Sequence, residues 1–293
     1  MTAYAYFPGC TLHGTAVEYG LSTRAVCRAL GVELREIEDW NCCGASSAHT
    51  VNPWLAHGLV GRNMQLASAT GLKEVAIPCA ACFARFKETQ HALADPKTAA
   101  GIEEVAGGAV PRDLTILPLL GILAAPAVLE RLRAAVARPL RGLKVAPYYG
   151  CLLTRPPEVA SFDDPEDPQT LDDVLRALGA EVVAWPGKTA CCGSSLALSR
   201  TEVVLDLSHR LLAWAEQAQA DAIATACPMC HSNLDMRQGQ MRRAGKGDHR
   251  MPVYYFTELV GVALGIANGE LGLSRHMVDA STVLERVPAG ARG

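Results

Sequence analysis

The sequence predicts an α/β protein made of two pseudo-symmetric units, each with short parallel strands and helices around a site lined by cysteines. Three observations support this prediction. The cysteines fall into two matched sets of five, short apolar strands alternate with helical segments, and each group of cysteines lies at the end of a predicted strand. Strands that alternate with helices are typical of parallel sheets. Open parallel sheets bind ligands at the carboxyl ends of their strands.

Length, charge and the start of the chain exclude several classes of protein. The chain has 293 residues, 49% of them hydrophobic, and a formal net charge of -3. Such a length suits one large domain or two ordinary ones, and so small a charge gives no reason to expect binding to nucleic acid. The sequence does not open with a basic segment followed by an apolar one. We therefore expect a cytoplasmic protein without a secretory signal.

Eleven cysteines are the most informative part of the composition. Because cytosolic thiols stay reduced, metal ligation or redox chemistry is a better interpretation than a disulfide framework. Ten of them form two sets, each with a single cysteine, a Cys-Cys-Gly and a Cys-x-x-Cys. The sets are Cys10, Cys42, Cys43, Cys79 and Cys82, then Cys151, Cys191, Cys192, Cys227 and Cys230. Only Cys27 is left over, and we interpret it as a buried small hydrophobic side chain.

The first unit is predicted to occupy residues 1–140. Its predicted elements are a strand at 3–7, a helix at 15–30, a strand at 32–37, a helix at 56–69, a strand at 74–77 and a helix from about residue 82. Gly31 and Gly71 follow the first two helices, which is the usual place for glycine at the end of a helix. Cys10 follows the first strand, and Cys79 follows the third.

The second unit is predicted to occupy residues 141–293 and to end in a helical tail. Its predicted elements are a strand at 144–149, a helix at 170–178, a strand at 181–185, a helix at 201–218 and a strand at 222–225. Thirty-four residues separate Gly44 from Cys79, and thirty-three separate Gly193 from Cys227, so the spacing repeats. Eight extra residues precede the second Cys-Cys-Gly. We assign them to the acidic, proline-containing loop at 161–168.

The longest apolar stretch, residues 114–129, links the two units. Pro118 and Pro126 interrupt it, and a membrane-spanning helix needs roughly 20 mostly apolar residues. We therefore expect no membrane span. The stretch is either a buried connector or a contact surface for a partner protein.

The arrangement of the cysteines favours an iron–sulfur cluster over zinc. A Cys-x-x-Cys pair alone occurs in zinc sites and in redox dithiols. Adjacent cysteines diverge, so the thiolates of a Cys-Cys pair reach two neighbouring metals more easily than one tetrahedral ion. An ordinary four-iron cluster takes four cysteines, whereas each unit offers five, which indicates something other than a simple cubane. Zinc in one half stays an alternative, although it would leave a fifth cysteine unexplained.

Together, these motifs resemble those of the CCG-domain family of cysteine-rich iron–sulfur proteins, and the chain most resembles the B subunit of heterodisulfide reductase. The resemblance extends beyond the cysteines and covers almost the whole chain, thinning after about Gly265. The segments that carry it lie at residues 148–153, 155–156, 162–165, 178–182, 185–186, 188–189, 227–230 and 233–238.

The resemblance implies an oxidoreductase acting on sulfur groups. In this family, five cysteines hold a noncubane [4Fe-4S] cluster, so the ten paired cysteines are expected to hold two such clusters. A disulfide enters between the clusters, which places Cys42, Cys43, Cys191 and Cys192 at the reaction site. Electrons come from a ferredoxin-like C subunit, and the larger assembly is expected to include a flavin-containing A subunit. This chain has no ferredoxin-type cysteine run of its own.

Several alternatives stay open from the sequence. The reaction could run in reverse on a carrier-bound thiol or persulfide. The chain could instead be a non-catalytic electron-transfer or anchoring subunit of a succinate dehydrogenase-like complex, or a zinc-stabilised interaction module. His13 and His231 could hydrogen-bond cluster sulfur or move protons, or make only local contacts. Arg155 and Lys188 could hold an anionic substrate or offset cluster charge, or be plain surface residues.

Overall fold

The computed structural model describes residues 2–45 and 48–287 of the chain. Within these residues, eight strands form two parallel sheets of four strands each. The first sheet has the order β2-β1-β3-β4 and the second the order β6-β5-β7-β8. The strands are β1 (Thr2–Tyr6), β2 (Val32–Glu36), β3 (Glu74–Ile77), β4 (Thr115–Pro118), β5 (Lys144–Tyr148), β6 (Glu181–Val182), β7 (Ala222–Thr225) and β8 (Val253–Tyr255).

Helices connect the strands in both units. In chain order they are α1 (Val17–Ala29), α2 (Ala48–Val51), α3 (Pro53–Ala69), α4 (Ala80–Ala92), α5 (Pro96–Ala106), α6 (Leu119–Ala124), α7 (Pro126–Ala135), α8 (Pro157–Ala160), α9 (Thr170–Ala177), α10 (Thr201–Gln217), α11 (Pro228–Leu234), α12 (Gln238–Arg243), α13 (Phe256–Ala263), α14 (Asn268–Leu271) and α15 (Ser281–Leu284). Short 3₁₀ helices lie at Cys10–His13, Ser194–Leu196 and Leu273–Arg275.

The strand order explains where a ligand site forms. In each sheet, the first strand of the unit lies inside, with the second strand on one side and the third on the other. After the first strand of a unit, the chain crosses towards the second strand, on one side of the sheet. After the third strand, it crosses towards the fourth, on the opposite side. This divergence opens a crevice at the carboxyl edge of the sheet. The inner strands β1 and β3 end in fully buried apolar runs, as parallel strands covered on both faces do.

The two units pack against each other reciprocally. Helix α1 of the first unit packs on α13 of the second, and α9 of the second packs on α6 of the first. Ser22 and Thr257, both fully buried, hydrogen-bond at 2.7 Å between their hydroxyl oxygens in the first of these contacts. The second unit thus covers α6, which follows β4 of the first unit, and the first unit covers α13, which follows β8 of the second.

The structure confirms the predicted fold class and corrects some of its details. The fourth strand of each unit, β4 and β8, was not expected, and neither was α5. The predicted strand at 181–185 pairs only over Glu181–Val182, because Trp185 instead turns its indole N–H onto the Pro147 carbonyl oxygen at 2.8 Å. The predicted unit boundary between residues 140 and 141 stays a prediction.

Residues 114–129 form β4, α6 and the start of α7, so they belong to the core. Leu119, Leu120 and Leu123 are at most 1% exposed, which rules against the alternative that this stretch offers a contact surface. Among the described helices, none combines the length and apolar character needed to cross a membrane.

Candidate functional site

Three separate segments bring the cysteines of the first unit together. Cys10 begins the 3₁₀ helix after β1, and Cys43 lies in the loop after β2. Cys79 precedes α4 and Cys82 lies in its first turn. The Sγ atoms of Cys10 and Cys42 are 3.9 Å apart, and those of Cys43 and Cys82 are 3.2 Å apart. All five thiols therefore face one small volume at the carboxyl edge of the sheet.

The second unit repeats this arrangement. The Sγ atoms of Cys151 and Cys191 are 3.7 Å apart, and those of Cys192 and Cys230 are 3.6 Å apart. Cys227 precedes α11, in the same position as Cys79 before α4. The pairing of sulfurs matches that of the first unit member by member, which indicates that the two sites suit the same kind of group.

Glycines shape the backbone around both sites. Gly9 and Gly150 have φ angles of 75° and 66°, in the left-handed region that favours glycine. A Cβ atom on either one would lie 3.0 Å from a cysteine Sγ, that of Cys82 for Gly9 and that of Cys230 for Gly150. Glycine therefore lets the backbone approach the thiols closely in each unit.

Backbone N–H groups point at the first cysteine of each Cys-Cys pair, Cys42 or Cys191, which we call the outer cysteine because it is more exposed than the second. The N–H of Gly44 donates to Cys42 Sγ at 3.4 Å, and that of Gly193 donates to Cys191 Sγ at 3.3 Å. Such bonds favour the thiolate form. The larger cause is hydrogen bonding from thiols: Cys10 and Cys43 lower the pKa of Cys42 to about 2, and Cys151 lowers that of Cys191 to about 6.

The second cysteine of each Cys-x-x-Cys motif, Cys82 or Cys230, has the opposite tendency. Hydrogen bonding to Cys43 and Cys79, followed by burial, raises the pKa of Cys82 well above its usual range. Hydrogen bonding to Cys192 and Cys227, with burial, does the same to the pKa of Cys230. Five thiolates so close together need positive charge to balance them. Metal ions supply that charge and deprotonate their thiol ligands, so the donor set fits a metal cluster.

The two sites meet at their Cys-x-x-Cys loops. The hydroxyl oxygen of Tyr19, which is fully buried, lies 2.9 Å from the Pro78 carbonyl oxygen and 3.4 Å from that of Ala226. Those carbonyls belong to the residues just before Cys79 and Cys227, so a single phenol joins both loops.

A single cavity of about 190 Å³ opens onto both sites. Seven cysteines from the two units line it: Cys10, Cys42, Cys43, Cys79, Cys82, Cys151 and Cys191. Other lining residues include Thr11, His49, Arg85, Leu152 and Met229. The cavity is large enough for a small molecule to reach both groups of thiols.

The other residues singled out from the sequence lie outside this cavity. Cys27 is buried in the core, where burial raises its pKa to about 12. The side chain of His13 is half-exposed, and its Nε2 lies 3.2 Å from Glu36 Oε1. His231 is buried behind Cys230 and bonds the Val253 carbonyl oxygen through Nε2 at 2.9 Å.

Arg155 and Lys188 are held by acidic residues of the second unit. Arg155 pairs with Glu166 at 3.0 Å, and Lys188 pairs with Asp167 and Asp172 at 2.8 and 2.9 Å. Both cations therefore fix the acidic loop at 161–168 or its neighbour α9. The sequence interpretation missed Arg85, Thr11, His49 and Tyr19. A position-by-position comparison of the two repeats would have drawn attention to the first three.

The fold and the paired thiol sites define a class of duplicated, cysteine-rich proteins with a ligand cavity between the repeats. The model of the CCG cysteine-rich domain matches residues 4–87 and again residues 145–235. The chain belongs to this family. The two matched stretches each contain one complete set of five cysteines.

Curated relatives match the chain along nearly its whole length. The "8-methylmenaquinol:fumarate reductase membrane anchor subunit" of Wolinella succinogenes is 33% identical over 280 residues, covering 95% of this chain and 98% of the relative. The B subunit of the ferredoxin/F(420)H(2)-dependent CoB-CoM heterodisulfide reductase of Methanosarcina acetivorans is 26% identical, covering 98% and 97%. A protein of Archaeoglobus profundus, named as similar to the heterodisulfide reductase B subunit, is also 26% identical, covering 90% and 91%.

These relatives support an assignment to the same kind of protein as the B subunit of heterodisulfide reductase, with iron–sulfur clusters and partner subunits. Among solved structures, a hypothetical protein from Helicobacter pylori has a TM-score of 0.74 at 13% identity. The match covers 95% of this chain but 52% of that one, so the chain spans about half the length of this structural neighbour. At that identity the likeness concerns the fold alone.

Proposed function

We propose that this chain is the catalytic iron–sulfur subunit of a heterodisulfide reductase-type complex, which cleaves or forms a disulfide between two noncubane [4Fe-4S] clusters. The observation that carries the proposal is the single cavity lined by cysteines of both units. Two separate electron-transfer sites would not need a shared cavity, whereas a substrate with two sulfur atoms needs access to both sites at once.

The proposal assigns a role to each group of cysteines. Cys10, Cys42, Cys43, Cys79 and Cys82 hold one cluster, and Cys151, Cys191, Cys192, Cys227 and Cys230 hold the other. When bound, the clusters supply one-electron chemistry at each end of the disulfide. Reduction of a disulfide consumes two electrons and two protons and yields two thiols. The proposal assigns Cys42, Cys43, Cys191 and Cys192 to the reaction site. The first three line the cavity, and Cys192 is buried next to Cys191 in the chain.

The surrounding residues position these ligands and limit access to them. Gly44 and Gly193 donate backbone hydrogen bonds to the outer cysteines, and the close approach at Gly9 and Gly150 leaves no room for side chains beside Cys82 and Cys230. Electrons are exchanged with a ferredoxin-like C subunit, and a flavin-containing A subunit belongs to the larger assembly in this proposal. The cytoplasmic location predicted from the sequence stays a prediction.

Metal and activity measurements on anaerobically purified protein test the proposal. We expect about eight iron and eight sulfide per chain, and reduction of small disulfides with a one-electron donor. Cys79→Ser should abolish this activity, while Cys27→Ser, a matched change in the core, should retain it. Zinc with little sulfide, or undiminished activity in Cys79→Ser, would contradict the proposal.

A second candidate is a non-catalytic electron-transfer or anchoring subunit of a succinate dehydrogenase-like complex. The identity of 33% to a fumarate reductase membrane anchor subunit favours it. Under this alternative, the loaded protein would exchange electrons with its partners but would reduce no disulfide in either direction. Copurification from the native host separates the two candidates further, since a ferredoxin-like partner supports the first and a fumarate or succinate enzyme supports the second.

A further inference from the structure

Behind the second thiol site, three buried side chains form a group of potential metal ligands. His231 lies in α11, Asp235 follows that helix directly, and His276 comes from the segment after α14. One ligand atom of each residue lies within 4.8 Å of those of the other two. His231 and Asp235 are 3% and 2% exposed, and the His276 side chain is fully buried. None of the three is among the described residues that line the shared cavity, so the group is separate from the site proposed above.

The donor atoms of this group are spaced like the ligands of one metal ion. His231 Nε2 lies 3.4 Å from His276 Nδ1 and 2.9 Å from the carbonyl oxygen of Val253. Two ligand atoms that are each about 2.1 Å from a zinc ion lie about 3.4 Å apart in tetrahedral geometry and about 3.0 Å apart at a right angle. The contact between the two imidazoles is longer than an ordinary hydrogen bond, but it is the separation that a shared ion requires.

Glu258 orients His276 in the way that is typical of metal-binding histidines. Glu258 Oε1 lies 2.9 Å from His276 Nε2, and Glu258 Oε2 accepts the backbone N–H of Tyr255 at 2.8 Å. A histidine that donates one ring N–H to a carboxylate presents its other nitrogen to a metal. In His276 the other nitrogen is Nδ1, which is the atom that lies 3.4 Å from His231 Nε2.

The carboxylate of Asp235 is fixed by the backbone of the segment that carries His276. Asp235 Oδ2 accepts the N–H of Met277 at 2.8 Å, and Oδ1 accepts that of Val278 at 3.1 Å. A carboxylate oxygen has two lone pairs, so each of these oxygens can still bind a cation. The oxygen ligand is therefore held rigidly without being used up.

Buried negative charge around the group also favours a cation. Glu18, Asp235 and Glu258 are at most 6% exposed, and the charges of all three act on His276. One imidazole cannot balance three carboxylates, and Arg275, which is also near Glu18, is exposed. Buried carboxylates are usually paired with cations or bound to metal ions. A divalent ion at this position supplies the missing positive charge.

We propose that His231, Asp235 and His276 bind one Zn²⁺ ion, with the carbonyl oxygen of Val253 as a fourth donor. Two imidazoles and a carboxylate suit zinc, and full enclosure is typical of structural zinc sites. Glu258 is a positioning residue, because it holds His276 and does not touch the ion.

The ion has a structural role, since it joins the second thiol site to the segment after α14. Cys227 precedes α11 and Cys230 lies within it, so a zinc ligand at His231 fixes the helix that carries this Cys-x-x-Cys motif. Without the ion, the ion pair between His276 and Glu258 is what holds the segment there. The inference goes beyond the proposed function and holds whether the clusters cleave disulfides or only transfer electrons.

Metal analysis of tag-free, iron-loaded protein tests the inference. The protein is equilibrated anaerobically with Zn²⁺ and then dialysed. We expect about one retained zinc per chain at unchanged iron content, and no retention of Mg²⁺, which prefers oxygen ligands. X-ray absorption at the zinc edge should show nitrogen and oxygen at about 2.0–2.1 Å and no sulfur at about 2.3 Å. Failure to retain zinc, sulfur around the zinc, or iron lost as zinc enters would each overturn the inference.

Variants identify the ligands and the positioning residue. His276→Gln should lose the retained zinc, whereas Glu258→Gln should keep the site but bind zinc about 10–100-fold more weakly in competition with a chelator. The matched control is His91→Gln, an exposed histidine on α4, which should bind zinc like the wild type. Undiminished zinc in His276→Gln would contradict the ligand assignment, and unchanged affinity in Glu258→Gln would contradict the role of Glu258. If His276→Gln does not fold, the zinc-edge spectrum of the wild type decides the matter alone.

Discussion

The ring of Tyr19, from the first unit, stacks on the ring of Tyr255, from the second, with centroids 4.1 Å apart and planes 3° apart. Tyr255 in turn stacks on His231, with centroids 4.2 Å apart. The same Tyr19 carries the hydroxyl that contacts the carbonyl oxygens of Pro78 and Ala226. One aromatic column therefore joins both Cys-x-x-Cys loops and fixes their separation.

Tyr19→Phe should loosen this connection while the stack is preserved. We expect a loss of about 1 kcal/mol of folding free energy, or about 2 °C in Tm, because one buried hydrogen bond is lost and its carbonyl is left unpaired. Tyr255→Phe is the matched control, since the Tyr255 hydroxyl is buried without a partner among the described residues. That variant should be neutral or slightly stabilising. Equal losses of folding free energy in the two variants would show that the Tyr19 hydroxyl does not stabilise the contact between the two loops.

Cysteine substitutions should separate the two sites. Replacing Cys43 or Cys192 by Ser is expected to lose or convert one cluster and to leave the other loaded, because each set of thiols is complete within its own unit. Iron and sulfide analysis should then give about half the wild-type content. Cys27→Ser should leave the content unchanged. Loss of iron from Cys27→Ser, with none from Cys43→Ser, would be incompatible with the proposed ligands.

Gly9→Ala should impair the first site selectively. The new Cβ would lie 3.0 Å from Cys82 Sγ, in addition to the cost of a left-handed backbone angle, about 1–2 kcal/mol. Gly31→Ala is the matched control because its φ is also positive, at 65°, and no described atom lies within 4 Å of the added Cβ. We expect both variants to lose stability but only Gly9→Ala to lose iron. If iron falls equally in both, backbone strain alone is responsible.

A buried ion pair should make stability depend on pH. His276 Nε2 lies 2.9 Å from Glu258 Oε1, and both side chains are fully buried. Burial alone would lower the pKa of His276, but the hydrogen bond and charge of Glu258, with Asp235 and Glu18 nearby, raise it overall above 6.5. Burial raises the pKa of Glu258 as well.

A raised pKa in the folded state means that the stabilisation is complete below the ordinary value and is lost as the pH rises through the raised one. The wild-type protein should therefore lose stability relative to the double variant His276→Gln, Glu258→Gln as the pH rises above about 6.5, the ordinary pKa of histidine. Denaturant titrations of the two proteins measure the difference. The exposed His91→Gln should keep the wild-type profile, and a pH-independent difference would refute the assignment.

The sequence was sufficient for the α/β class, for the inner strands and for the pairing of cysteine sets. Short buried strands that end at a cysteine leave a clear pattern, as β3 before Cys79 does. The fourth strands were missed for a physical reason. Thr115–Pro118 runs directly into the apolar helix α6, so no change in periodicity marks the boundary, and Val253–Tyr255 has only three residues.

The candidate site was predictable in its ligands but not in its surroundings. Nothing in the sequence indicates that Tyr19, in α1, reaches both Cys-x-x-Cys loops, because that contact depends on how the two units pack. Nor does the sequence show that Arg85 points towards the cavity while its equivalent, Asn233, bonds Cys192. Those facts depend on side-chain directions at the junction of the units, which local patterns do not encode.

Reciprocal packing of α1 on α13 and of α6 on α9 is the contact pattern of a symmetric homodimer whose two halves have become one chain. In a homodimer encoded by one gene, every substitution near the central cavity appears twice, so the two walls must remain alike. Gene duplication followed by fusion removes that constraint. The walls of this chain have diverged in that way: Arg85, three residues after Cys82, lines the cavity, whereas Asn233, three residues after Cys230, is buried and bonds Cys192.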